Sequence, residues 1–195
     1  MNTPTLWIGD GPFAKDPYVE KTVTNLIDKY KCTHAVETGT MKGITTKWLS
    51  KKFEKVYTIE LDDYYHNYAQ EACKPFENIS FIKGDSVSQL TNILPEIADK
   101  KCLFFLDAHC HAVCPTPSEL IIIKNMKVFP VIVIHDFYVP GTNFGWDSYP
   151  SFEYKWENIS NLIDDIYGAN NYEYFYNTET HPESFNRGVV FIVPK

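Results

Sequence analysis

Short apolar, β-rich runs alternate with amphipathic stretches along most of the chain, and this rhythm restricts its folds more than any other feature. Residues 34–37, 55–60, 79–83, 102–106 and 130–134 read as strands. Between them, 45–53, 64–75, 87–98 and 118–126 read as helices, the last with Ser118 as its cap. Ahead of the first strand, Asp16 and Pro17 open a helical pattern that carries Val19, Val23, Leu26, Ile27 and Tyr30 on one face. Successive parallel strands require crossover connections, and the crossing helices bury the sheet. The alternation therefore predicts an α/β, doubly wound sheet.

Beyond Pro140 the pattern changes to a loop rich in Gly, Asn and aromatic residues. A helix over 155–167 follows, then β-rich runs at 172–177 and 188–193 that can pair antiparallel. The expected architecture is a mostly parallel seven-stranded sheet with an antiparallel C-terminal strand and helices on both faces. The chain has 195 residues, 44% of them hydrophobic, enough for one substantial core. No repeat or low-complexity linker divides it. Residues 1–195 are read as a single domain, with 1–33 a helical extension and 139–150 a loop at the strand tips.

Charge and cysteine usage narrow the partners. With 18 Lys and Arg against 25 Asp and Glu, the net charge of -7 makes nucleic acid an unfavoured partner. The start, MNTPTLWIGDGPF, lacks the pattern of a signal peptide, and no apolar run approaches the length of a membrane span, so the expectation is a cytoplasmic protein with no membrane partner. The odd set of cysteines, Cys32, Cys73, Cys102, Cys110 and Cys114, is read as reduced thiols.

In doubly wound sheets ligands bind beyond the carboxyl ends of the strands. The successive tips here are Glu37-Thr38-Gly39-Thr40-Met41-Lys42-Gly43, Glu60-Leu61-Asp62, Gly84-Asp85-Ser86, Asp107-Ala108-His109 and His135-Asp136. Each tip carries an acid, which points to a polar ligand site. Gly39 and Gly43 permit a tight turn and close backbone approach. Glu60, 21 positions after Gly39, is placed to accept hydrogen bonds from both hydroxyls of a ribose.

These tips resemble those of the class I S-adenosylmethionine-dependent methyltransferases, whose first motif is an acid followed by a glycine turn, as in Glu37-x-Gly39-x-x-x-Gly43. The resemblance runs from about Ala35 to Asp136 and implies a Rossmann-like fold with a reversed hairpin at its end. It implies S-adenosylmethionine as cofactor, with Glu37, Thr38, Gly39, Thr40, Gly43 and Thr45 at the methionine end. Glu60 would hold the ribose, Asp85 and Ser86 the adenine, and Asp107 the point where methyl donor meets acceptor. Met41 departs from the fuller glycine pattern, which puts the loop geometry in question and lowers the case for a dinucleotide.

Asp107, His109, His135 and Asp136 follow neighbouring strands and are expected to converge. Asp107 and Asp136 are candidate ligands for Mg2+ or another divalent cation, a pairing that looks like some metal-dependent sugar and small-molecule O-methyltransferases. A metal-free alternative uses His109 or His135 as the base that takes the acceptor proton. The catalytic candidates are thus Asp107, His109 and Asp136, and the acceptor candidates His135 and, in the 139–150 loop that is expected to form an acceptor lid or wall, Trp146, Asp147 and Tyr149.

The cluster of His109, Cys110, His111 and Cys114 has poor spacing for zinc, and Arg187 reads as solvent-exposed. Tyr64, Tyr65 and Tyr68 read as packing residues, because acids precede them and no basic groove accompanies them. The expected activity is methyl transfer to a hydroxyl of a sugar, glycan precursor or other small acceptor, and a homo-oligomer is compatible with it. An NAD- or nucleotide-sugar-dependent enzyme on the same scaffold, and a non-catalytic binding module, stay open.

Overall fold

In the computed structural model, residues 11–109 and 113–195 are described. A single turn, α1 (Pro12–Lys15), precedes helix α2 (Pro17–Tyr30). Asp16 starts α2 by accepting hydrogen bonds from the Tyr18 and Val19 amides, and Pro17 fits the first turn, where no N–H is needed. Then β1 (His34–Thr38), α3 (Ile44–Ser50), β2 (Lys55–Glu60), α4 (Asp63–Ala72) and β3 (Ile79–Lys83) follow. After these come α5 (Ser86–Ile97), β4 (Cys102–Leu106), α6 (Thr116–Ile123) and β5 (Val131–His135). The C-terminal part contains β6 (Ser148–Tyr149), β7 (Phe152–Glu153), α7 (Trp156–Tyr167), β8 (Tyr172–Tyr176) and β9 (Val189–Pro194).

The main sheet has seven strands in the order β3-β2-β1-β4-β5-β9-β8. Its first five strands are parallel, and β9 runs antiparallel to both β5 and β8. Strand order reverses direction between β1 and β4, which opens a crevice at their carboxyl ends. Register fixes the depth of the tips: Thr38 lies opposite Ile59 on one side and Leu106 on the other, and Leu106 lies opposite Ile134.

Alternate side chains of each strand enter opposite cores, as the two-residue period requires. Val36, Ile59, Phe104, Leu106, Ile132 and Ile134 pack beneath α5, α6 and α7. On the other face Ala35, Val56, Leu103, Phe105, Val131 and Val133 pack beneath α2 and α3. Phe13 closes this second core, edge-on to Trp48 at 5.0 Å and Phe105 at 5.1 Å. Phe13, Ala14 and Lys15 all have left-handed φ values, so α1 is a left-handed turn rather than a continuation of the helical extension.

Three local expectations are corrected. Helix α6 begins at Thr116, ahead of Ser118, because Pro117 sits comfortably in a first turn; no side chain caps it. The loop after β5 contains the β6–β7 hairpin. Tyr64 and Tyr68 are 69% and 47% exposed, Tyr64 lying edge-on to Tyr65 and tilted to Tyr68 on α4, so their packing is on the surface rather than in the core. The described cysteines Cys32, Cys73, Cys102 and Cys114 are free and buried. Among the described residues no helix is long and apolar enough to cross a membrane.

Gly188 joins β9 to the loop after β5. Its carbonyl accepts from the Phe137 amide at 2.8 Å, and a Cβ there would lie 2.1 Å from the Phe137 oxygen. Backbone must move to admit even one methyl group. Gly188→Ala is expected to lower stability by about 1–3 kcal/mol, read as a drop in the thermal unfolding midpoint.

Candidate functional site

The turn after β1 is fixed from below. Glu37, 1% exposed, accepts hydrogen bonds at Oε2 from Thr46 (2.5 Å) and Thr58 (2.6 Å), and the Thr58 hydroxyl in turn meets that of Thr40 at 2.5 Å. Burial pushes the Glu37 carboxyl up to about 8, despite those hydroxyl donors. Glu37 thus supports the turn from inside the protein. Thr38 is fully buried, and Thr45 accepts at Oγ1 from the Phe13 amide at 3.1 Å.

Gly39 and Gly43 use their missing side chains for packing. At φ +86, a Cβ on Gly39 would lie 2.4 Å from the Asp107 carbonyl oxygen, and one on Gly43 would meet Cys73 Sγ at 2.9 Å. Met41, where the fuller motif has glycine, adopts φ 48 and leaves its side chain 54% exposed. Its amide donates to Glu60 Oε2 at 2.7 Å, while Glu60 Oε1 accepts from the Asp62 amide at 2.8 Å. Each oxygen keeps a further lone pair for a ligand.

Leu61, between these acids, is 52% exposed, an apolar surface beside Glu60 that sequence reasoning passed over. The signal was an apolar residue enclosed by Glu60 and Asp62. At the next tip Asp85 caps α5 through Ser88 N at 3.0 Å, and the Ser88 hydrogen bonds hold its carboxyl below the usual range. Ser86 is buried.

On the other side of β1, the tips of β4 and β5 converge. His109 Nε2 lies 3.1 Å from Asp107 Oδ1 and 2.8 Å from Asp136 Oδ2, and its Nδ1 lies 2.8 Å from Asp147 Oδ2. The second oxygens of Asp136 and Asp147 are held by Nε and Nη2 of Arg187. A closed ring results, in which each carboxylate of the pair bridges His109 and Arg187. Burial alone would lower the His109 imidazole, but the Asp107 and Asp136 carboxylates push it up to about 11. Burial likewise opposes ionisation of Asp136, yet the His135 charge and the His109 and Arg187 contacts hold it well below the carboxylate range.

Arg187 is therefore not the exposed residue anticipated from sequence; its side chain is 26% exposed and clasped by acids. Glycine at 145 makes room for it, since a Cβ there would lie 2.9 Å from Nη1. His135, 6% exposed, points Nδ1 at Asp107 Oδ1 and Asp136 Oδ1, each 3.2 Å away, without forming a hydrogen bond among the described residues. Oxygen atoms of Asp107 and Asp136 and a ring nitrogen of His109 lie within 4.8 Å of one another, a donor set that fits a divalent cation.

Of the loop candidates, Asp147 joins this cluster. Trp146 packs edge-on to Tyr138 at 5.4 Å with Lys155 over its ring, and Tyr149 packs 6.0 Å from Tyr154 in the hairpin. Cys110 and His111 lie outside the described residues. Cys114 is buried beside Thr116 and Tyr154.

No family model matches the chain. A probable ribosomal RNA small subunit methyltransferase A of Methanococcus maripaludis is 35% identical over 75 residues, 38% of this chain and 28% of that protein. The chain thus spans under a third of that curated relative. Over most of its length it superposes on solved methyltransferases. An O-methyltransferase from Bacillus cereus, solved with S-adenosylhomocysteine, gives a TM-score of 0.66 at 17% identity, covering 92% of this chain and 81% of that one. TomG, an O-methyltransferase of Streptomyces achromogenes involved in tomaymycin synthesis and solved with S-adenosylmethionine, gives 0.64 at 15% identity, covering 90% and 79%.

Glu37 makes a pH prediction for this frame. Its folded carboxyl ionises near 8, against a usual value of 4.5, so the folded state retains a proton that the unfolded chain loses. Stability is complete below the lower value and falls by up to about 1.4 kcal/mol per pH unit until the upper one. Glu37→Gln keeps an acceptor for Thr46 and Thr58 and should lack this slope; urea unfolding from about pH 5 to pH 8 reads the difference. The chain has the Rossmann-like fold of these methyltransferases.

Proposed function

We propose that the chain transfers a methyl group from S-adenosylmethionine to a hydroxyl of a small, polar acceptor. The observation that carries this reading is the position of Glu60, at the tip of β2 beside the turn that opens the β1/β4 crevice. Its two oxygens would accept from a ribose diol, with Met41 and Leu61 as exposed apolar side chains beside it and Asp85 and Ser86 one strand further, where they would hold the adenine. Gly39 and Thr40 border the methionine end, where Glu37 supports the turn. The fold neighbours solved with S-adenosylmethionine or its demethylated product support this assignment.

Transfer forms an O–CH3 bond as the S–CH3 bond breaks, S-adenosylhomocysteine leaves, and the acceptor oxygen gives up its proton. Asp107 joins the two halves, because its backbone borders Gly39 and its carboxylate belongs to the His109–Asp136 cluster. Both His109 nitrogens face carboxylates, so in the metal-free cluster His109 is a cation that can orient the acceptor while the hydroxyl proton passes to the Asp107 carboxylate; with a metal held there, His109 would be neutral and the proton would leave to water. A divalent cation held by Asp107 and Asp136 would acidify the acceptor hydroxyl.

Donor and acceptor need only be held in line, since the sulfonium is already activated. Three aspartates line this half, and its nearest guanidinium is engaged with two of them. That balance suits a neutral, hydroxyl-rich acceptor such as a sugar better than a phosphodiester chain.

Calorimetric titration of the chelator-treated protein should show micromolar binding of S-adenosylmethionine and S-adenosylhomocysteine and none of NAD. Glu60→Ala should weaken both by about ten- to a hundredfold. Binding of NAD alone would overturn the proposal. Methylation of ribosomal RNA in preference to a panel of hydroxylated small molecules would overturn the acceptor class.

A further inference from the structure

The ring around His109 carries more than a carboxylate pair able to hold Mg2+. His109 turns Nε2 toward Asp107 Oδ1 and Asp136 Oδ2, while Nδ1 lies 2.8 Å from Asp147 Oδ2. An imidazole fixed by an outer carboxylate at one nitrogen presents the other in a set tautomer and direction, the usual arrangement of a metal-ligating histidine. Arg187 occupies the remaining oxygens of Asp136 and Asp147, so both acids are already oriented. His135 adds an independent observation at the same place. Its imidazole is 6% exposed, and Nδ1 faces the same two inner carboxylates without a hydrogen bond among the described residues.

Asp147 also belongs to the loop that would wall the acceptor. Its amide donates to the Asp136 carbonyl at 2.9 Å, and Gly145 exchanges hydrogen bonds with Asn186 and Gly188 at 2.7 and 2.9 Å. The loop therefore meets the cluster through backbone on one side and through His109 Nδ1 on the other. Mg2+ strongly prefers oxygen ligands and keeps its water, whereas first-row transition dications accept imidazole.

We propose that Asp107, His109 and Asp136 form a mixed nitrogen–oxygen site for a first-row transition dication in preference to Mg2+, and that the Asp147–His109 contact couples filling of this site to tightening of loop 139–147. Asp147 and Arg187 are positioning residues that act on the metal through His109 and Asp136. The role of the loop rests on the acceptor reading given above; the metal preference does not.

The test uses the full chain, stripped with a chelator and titrated with Mn2+ and with Mg2+ in separate calorimetric runs. One Mn2+ per chain should bind at least about tenfold more tightly than Mg2+. Electron spin-echo modulation of the bound Mn2+ should show a directly bonded nitrogen that disappears in His109→Gln. Asp147→Asn, which leaves all three ligands in place, should weaken Mn2+ by about ten- to a hundredfold and abolish the metal-induced slowing of amide exchange over 139–147.

Circular dichroism confirms that each variant is folded before titration. Equal affinity for the two ions, a nitrogen signal that survives His109→Gln, or unchanged Mn2+ affinity in Asp147→Asn would overturn the proposal. S-adenosylhomocysteine binding to the metal-free protein reads the methyltransferase assignment separately, so loss of one leaves the other standing.

Discussion

The tip of β4 is pressed against the turn after β1, and the rest of the site depends on that contact. Residue 39 must be glycine there for two reasons: its φ is +86, and any Cβ would overlap the Asp107 carbonyl. The Asp107 amide meanwhile donates to Thr38 at 3.1 Å, and the Gly39 amide to Ile59 at 3.0 Å. Strands β1, β2 and β4 are thereby held in step at the point where strand order changes direction. The crevice is a consequence of topology, but its floor is set by this close approach of two backbones.

Around that floor the protein accommodates buried and half-buried acids in different ways. Glu37 sits among threonine hydroxyls and keeps its proton, because burial penalises the charged form more than the hydrogen bonds from Thr46 and Thr58 relieve. Glu119 on α6 is fully buried, without a hydrogen bond to either oxygen among the described residues, and burial raises it to about 7. Glu60 is buried at the tip of β2, with backbone amides as partners. Asp107 and Asp136 instead face the His135 and His109 imidazoles, which favours the ionised form, and Asp147 contacts His109 and Arg187.

Much of this was legible in the sequence, because strand and helix periods differ and each βα unit is local. The β2, β3 and β4 runs, the reversed final strands and the acids at the tips could be read from patterns a few residues long. What escaped had long-range causes. Arg187 reads as exposed on its own, and only the pairing of β5 with β9 brings it to Asp136, 51 positions earlier. The packing uses of Gly39 and Gly43 involve Asp107 and Cys73 on other elements, so a motif written as a local turn cannot disclose them. The left-handed α1 turn is likewise invisible to periodicity, since it is held by Phe13 against Trp48 and Phe105.

The two halves of the site also differ in how they are built. Glu60, Leu61, Asp85 and Ser86 project from consecutive βα units of the parallel part, where register alone places them. Asp136, Asp147 and Arg187 come from the antiparallel part, where a loop, a hairpin and the start of β9 must be assembled first. Asp107 belongs to both, through its carbonyl on one side and its carboxylate on the other. Loop sequence can therefore change around Trp146 and Tyr149 without disturbing the crevice, whereas a change at the β4 tip reaches both halves at once. On the proposed reading, specificity for the acceptor would vary on one side of β4 while the crevice side keeps its geometry.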